Sequence, residues 1–136
     1  MLTLLLLGGE TLRLPIRGEY EMARQEAIRE GKALLLLLDT PGDGQGAAMV
    51  RRMLEDASLR RLLAERTVVV LIMAGTKSRY PIELYYTTRF PALFLIDPVR
   101  ELPRLGPVSE LERVRECLAS EKRGSVTVPD REGLRR

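Results

Sequence analysis

One cysteine, Cys117, and no histidine among 136 residues limit what this chain can do with side-chain nucleophiles and metals. A thiolate or imidazole metal centre draws its ligands from several Cys and His side chains, so one subunit cannot build one, and no metal or other cofactor is expected. Ser-His-Asp and Cys-His catalysis lack their base. A dithiol cycle within one chain lacks its second thiol. No carboxylate pair or Ser/Lys arrangement stands out in their place. What remains is a loop, an aromatic cluster and a proline. Thr40-Pro-Gly-Asp-Gly-Gln-Gly46 places three glycines and a proline ahead of a predicted helix. Free amides and the positive end of a helix suit a peptide carboxylate or another acidic group. The same stretch also fits a plain strand-to-helix connection with Asp43 as the helix cap. It is not a phosphate loop, because no Gly-Lys-Ser/Thr follows. Tyr80, Tyr85, Tyr86 and Phe90 hold four of the six aromatic rings within eleven residues. Exposed, such a cluster marks an interface; buried, it is packing.

The composition is that of a folded domain. It is 45% hydrophobic and 30% charged, which excludes wholesale disorder. The net charge of +3 is too small for the dense field of a nucleic-acid binder, so no nucleic-acid partner is expected. The pairs Arg51-Arg52 and Arg60-Arg61 read as solvated helix faces. The apolar runs Leu4 to Leu7 and Ala33 to Leu38 fall far short of the roughly 20 residues of a spanning helix, so membrane insertion is not expected. The opening run lacks a basic flank and meets Glu10 at once, which reads as a strand rather than a leader. A cytoplasmic location is the expectation.

These residues need elements to position them. Leu4 to Leu7 and Thr11 to Ile16 read as a small hairpin, with Pro15 favouring an edge for its second strand. Gly18 to Gly31 reads as a helix with Tyr20, Ala23, Ala27 and Ile28 at helical spacing and Gly31 as its stop. Ala33 to Leu38 is apolar on both faces, as in a central strand of a covered sheet. Ala47 to Glu55 reads as a helix with Val50, Met53 and Leu54 on one face, and Asp56 caps a second one carrying Leu59, Leu62 and Leu63. Thr67 to Met73 is a β-branched strand. One or two helical turns are predicted over Pro81 to Thr87. Ala92 to Ile96 and Glu101 to Leu105 read as a hairpin around Asp97-Pro98, and Gly106-Pro107 breaks the chain. A Ser109/Glu112 capping box opens a final helix with Leu111, Val114, Cys117 and Leu118 on its apolar face. Cys117 is expected to be a buried structural thiol, with regulatory oxidation as the alternative. The order predicts a mixed sheet with helices on both faces.

Three signatures give this order a family likeness. Glu19 to Lys32, ending Glu-Gly-Lys, precedes the central strand; Asp56-Ala-Ser-Leu-Arg-Arg-Leu-Leu63 opens the second part of the long helix; Arg89-Phe90-Pro91-Ala-Leu-Phe-Leu-Ile-Asp97 leads into the next strand with a proline. Together they resemble the thioredoxin-like fold, and more narrowly a bacterial group within it, over residues 18–119. The resemblance implies an N-terminal extension over 1–17, a thioredoxin-like domain over 18–119 and a polar tail over 120–136. It also implies a cis bond before Pro91. The family's two cysteines would fall at Asp43 and Gly46, where this chain has no sulfur. The likeness is therefore to a redox-inactive member without dithiol oxidoreductase activity.

The resemblance implies binding of another polypeptide, as a chaperone or adaptor, along the former active-site edge: Asp43, Gly44, Gln45, Gly46, Phe90 and Pro91. Phe90 stands where the family more often has Thr, Val or Ile; it is either an exposed anchor or a core ring. Cysteine-free relatives include adaptors linked to ubiquitin and maturation chaperones of hydrogenase small subunits, the latter also carrying Arg-Phe-Pro-Ala at this loop. The alternatives are a homodimer covering the same edge, and an enzyme using thiol-independent or glutathione-dependent chemistry.

Overall fold

The computed structural model of the chain describes residues 13–42, 44–75 and 79–127, the side chains of 122–127 excepted. It is a mixed α/β fold. In chain order the elements are β1 (Ile16–Arg17), α1 (Tyr20–Glu30), β2 (Ala33–Asp39), α2 (Gln45–Glu55), α3 (Ala57–Arg66), β3 (Thr67–Met73), β4 (Ala92–Asp97), β5 (Leu102–Val108) and α4 (Leu111–Thr127). The strands form one sheet in the order β1-β3-β2-β4-β5. β1 and β2 run parallel to β3, whereas β4 is antiparallel to both β2 and β5.

β2 lies in the middle of the sheet because both of its faces are apolar. Leucine is an indifferent strand former, and here burial outweighs propensity. Leu35 and Leu37 point to one face, where they pack with Met53 of α2, Leu59 and Leu63 of α3, and Leu111, Val114 and Leu118 of α4. Leu34, Leu36 and Leu38 point to the other, against Tyr20, Ala23 and Ala27 of α1 and against Tyr85. A continuous apolar run is what a strand with helices on both sides requires.

Local signals set the helix ends. Glu19 caps α1 by accepting from the Met22 amide at 2.8 Å. Gly31 ends it at φ 67°, a left-handed position that suits glycine. Asp56 caps α3, accepting from the Leu59 amide at 3.1 Å, and also takes Nη2 of Arg115 in α4 at 2.8 Å. One carboxylate thus holds the α2–α3 junction and ties it to α4. The Leu59 amide and Arg115 hold the Asp56 carboxyl below its ordinary range. Arg17 does the same for Glu26, which receives two guanidinium hydrogen bonds at 2.8 and 3.0 Å. Folding therefore favours the ionised form of both. The stability they add is present above the ordinary carboxylate range and is lost as pH falls through their lowered folded values. The urea midpoint is expected to drop on acidification below about pH 4, and to drop less in an Asp56→Asn, Glu26→Gln variant.

Several sequence expectations are corrected. Pro81 to Thr87 forms no helix. Leu84 N–H donates to Pro81 O at 2.9 Å and Tyr85 N–H to Ile82 O at 3.3 Å, and the turn ends where Tyr85 enters the core. So short a segment cannot carry a helix alone, and burial of one ring decides its path. Gly106-Pro107 does not break the chain; β5 runs through both residues to Val108. β5 is an edge strand, where a missing N–H need not cost a ladder bond. Its pairing with β4 shifts register on either side of Leu95. The bonds before Pro91 and Pro107 are both cis.

The Ser109/Glu112 box does not form. Arg113 N–H donates to Glu110 O, and Glu112 turns to Arg115. Leu54 is exposed rather than on the apolar face, where Met53 alone of its trio is fully buried. Cys117 is half-buried, not buried. α4 runs to Thr127, within the expected polar tail, and residues 128–136 lie outside the described residues. So do residues 1–12, which carry most of the expected hairpin; Ile16 and Arg17 pair with Val69 and Val70 at the sheet edge.

Candidate functional site

The strand pairing brings distant segments to one end of the sheet. Leu38 faces Ala92, and Leu93 faces Val108. The loop after β2, the segment before β4 and the start of α4 after β5 therefore share that end. Gly44 is exposed at φ 80° and stands at the N-cap of α2, its carbonyl accepting from the Ala48 amide at 3.0 Å. Gln45 is exposed in the first turn. Gly46 is buried, contrary to a place on an open binding loop. A Cβ there would lie 1.8 Å from Asp39 Oδ2, so the Asp39 carboxylate fills the volume a side chain would take. The protein's own Asp39 carboxylate therefore sits beside the positive end of α2. Asp43 lies outside the described residues. Phe90 is half-buried and Pro91 buried.

Three of the six sequence-predicted site residues meet in one groove. Gln45, Phe90 and Pro91 line a cleft of about 580 Å³ together with Met49, Leu111 and the arginines Arg51, Arg52 and Arg89. Gly44 and Gly46 do not line it. An adjoining cleft of about 470 Å³ shares Arg89, Pro91 and Glu110 and adds Tyr86 and Arg113. A third, of about 260 Å³, lies on the other side of Phe90 and is floored by Tyr80, Tyr85 and Leu38. Phe90 thus forms part of two walls while it packs, half-buried, against the core cluster that holds Tyr85 and Leu38, so it is neither a free anchor nor a fully buried core ring.

The aromatic cluster divides in the same way. Tyr85 is fully buried, its ring centroid 5.5 Å from Phe94 and 6.0 Å from Tyr20. Tyr20 Oη donates to Glu101 Oε2 at 2.7 Å and lies 3.0 Å from Tyr85 Oη, so the Tyr85 hydroxyl is the donor between the two phenols. Burial, with these hydrogen bonds, pushes the Tyr20 phenol far above its ordinary range. Burial also raises Tyr85. Tyr86, by contrast, is 69% exposed, and Ile82 beside it in the turn is 56% exposed. Tyr85 is the buried anchor, and its neighbours present apolar surface next to the groove.

Sequence reasoning missed Met49, Leu111 and Arg113, and it read Arg51 and Arg52 only as a solvated face. Met49 lies one helical turn beyond Gln45, so the α2 contribution was open to a helical projection. The α4 contribution was not, because it depends on where β5 ends. Cys117 does not line the groove. Its Sγ lies 3.8 Å from Glu121 Oε2, and burial followed by that carboxylate raises the thiol above its ordinary value. A thiol held protonated is a poor nucleophile. Among the described residues, no group of three or more Cys, Asp and Glu side chains is placed to hold a metal ion, and no helix is long and apolar enough to cross a membrane. No family model matches the chain, and no curated protein matches it either.

Proposed function

We propose that the chain is a redox-inactive thioredoxin-like protein that binds another polypeptide, as a cytoplasmic chaperone or adaptor, along the groove beside Phe90 and Pro91. The observation that carries this reading is the convergence of Gln45, Phe90 and Pro91 on one groove with Met49 and Leu111. Half-buried apolar side chains, here Met49 and Phe90, in a concave, polar-rimmed setting are characteristic of an interaction site. The strand order, the antiparallel placement of β4 and β5, and a helix following the central strand support the thioredoxin-like assignment. The two positions at which the resemblance puts thiols are Asp43 and Gly46, which leaves dithiol chemistry without its reagents. The exposed Ile82 and Tyr86 beside the groove favour a second reading, a homodimer closing over the same edge.

The test compares capture of partners from host lysate by wild type, by Phe90→Ser and by Val99→Ser, a control 65% exposed at the β4–β5 turn. Phe90→Ser is expected to weaken capture at least about tenfold, the scale of an anchor residue, whereas Val99→Ser leaves it unchanged. Equal capture by all three overturns the site. A wild-type dimer in light scattering that Phe90→Ser converts to monomer would favour the homodimer.

A further inference from the structure

The groove has a charge pattern that the peptide-binding reading did not use. Arg51, Arg52 and Arg89 line it, and Arg113 lines the adjoining cleft that shares Arg89 and Pro91. All four side chains are exposed, and among the described residues none meets a carboxylate. Elsewhere on the surface, Arg17, Arg24, Arg104 and Arg115 are ion-paired, whereas Arg13, Arg29, Arg61, Arg79 and Arg100 are not, among the described residues, and lie apart from the groove. An unpaired surface arginine is ordinary. Three on the groove and a fourth on the adjoining cleft make a positive rim whose lining, among the described residues, includes a single carboxylate, Glu110.

We infer that the occupant of the groove is an acidic, extended peptide segment, with an apolar side chain on Met49, Phe90 and Leu111 and flanking Asp or Glu carboxylates on the arginine rim. This inference rests on the peptide-binding reading and names its partner's chemistry. The two parts have different jobs. Exposed ion pairs contribute little one by one, so the apolar floor supplies the anchor. The rim selects the sign of what docks, because a basic segment would meet four like charges. Guanidinium also pairs carboxylate in a planar, two-pronged geometry that lysine lacks. A nucleic-acid strand is the poorer fit. The groove floor offers one ring, Phe90, and the adjoining cleft one more, Tyr86, beside thioether and aliphatic surface rather than a continuous stacking platform, and Glu110 would face phosphates.

The experiment is an anisotropy titration of the full chain with fluorescein-labelled peptides of about 12 residues, an ordinary span for groove binding. All share a Leu-Phe centre and differ in having acidic, neutral or basic flanks; an oligothymidylate is a further probe. The acidic peptide is expected to bind tightest, and to weaken as salt rises from about 50 to about 500 mM. An Arg52→Glu, Arg89→Glu variant should weaken it at least about tenfold. Arg52→Gln, Arg89→Gln should fall between that variant and wild type, and Arg100→Glu, at the β4–β5 turn, should match wild type. Circular dichroism confirms that each variant is folded. Equal or tighter binding of neutral or basic flanks, still lost in Phe90→Ser, would overturn the charge inference while leaving the groove as the docking site. Binding of any peptide that Phe90→Ser does not weaken would overturn both. Tighter binding of the oligothymidylate, or no binding of any probe, would overturn the acidic-peptide occupant.

Discussion

Gly106→Ala is expected to lower folding stability by about 3 kcal/mol, read as a fall in the urea midpoint without a change of slope. Two terms act together. Gly106 has φ 123°, outside the range that residues with a Cβ ordinarily adopt. The added methyl would also lie 2.5 Å from the Leu93 carbonyl oxygen and 2.9 Å from Phe94 Cα. Those are backbone atoms of β4, which is paired on both sides by β2 and β5 and cannot move aside without disturbing the sheet centre. Backbone strain and overpacking of this kind each cost about 1–3 kcal/mol. Gly18→Ala is the control: no atom lies within 4 Å of its added Cβ. Its stability should stay within about 0.5 kcal/mol of wild type. A fall for Gly106→Ala no larger than the control's would mean that β5 lies differently on β4.

Tyr85→Ala is expected to cost about 4 kcal/mol and to weaken binding in the groove as well. The ring is fully buried between Tyr20 and Phe94, so removing it leaves a large cavity. Tyr85 is also the only fully buried side chain among the described residues from 79 to 90. Without it the segment carrying Arg89 and Phe90 loses its fixed point. Tyr85→Phe separates the two effects. It keeps the ring and removes a hydroxyl whose partner, Tyr20, retains its bond to Glu101. That should cost about 1 kcal/mol and leave binding near wild type. Equal loss of binding in both variants would assign the hydroxyl pair, rather than the ring, the task of holding the segment.

Much of the fold was legible wherever the signal was local. The continuous leucines of β2, the β-branched β3, the Gly31 stop and the Asp56 cap each state their role within a few residues. The misreadings share a different cause. Whether Gly106-Pro107 ends a strand depends on whether that strand lies at an edge, which is a property of the sheet. Pro81 to Thr87 looked helical by composition, but the burial of Tyr85 decides its course. The candidate site was half legible for the same reason. Phe90, Pro91 and the loop before α2 carry recognisable types and spacing. Met49, Leu111 and Arg113 enter only because strand pairing and the passage of β5 through its proline bring three segments together. The charge of the rim became visible only then, since Arg51-Arg52 alone reads as a solvated helix face.

The central claim is that another polypeptide docks beside Phe90. The most direct measurement replaces Phe90 with a photo-crosslinking phenylalanine analogue and irradiates the protein in host lysate. A chain with the same analogue at Met22, which is 73% exposed on α1, serves as the comparison. The account predicts a discrete adduct with a second polypeptide from position 90 and none from position 22. An adduct of equal yield from both positions, or none from position 90, would contradict it.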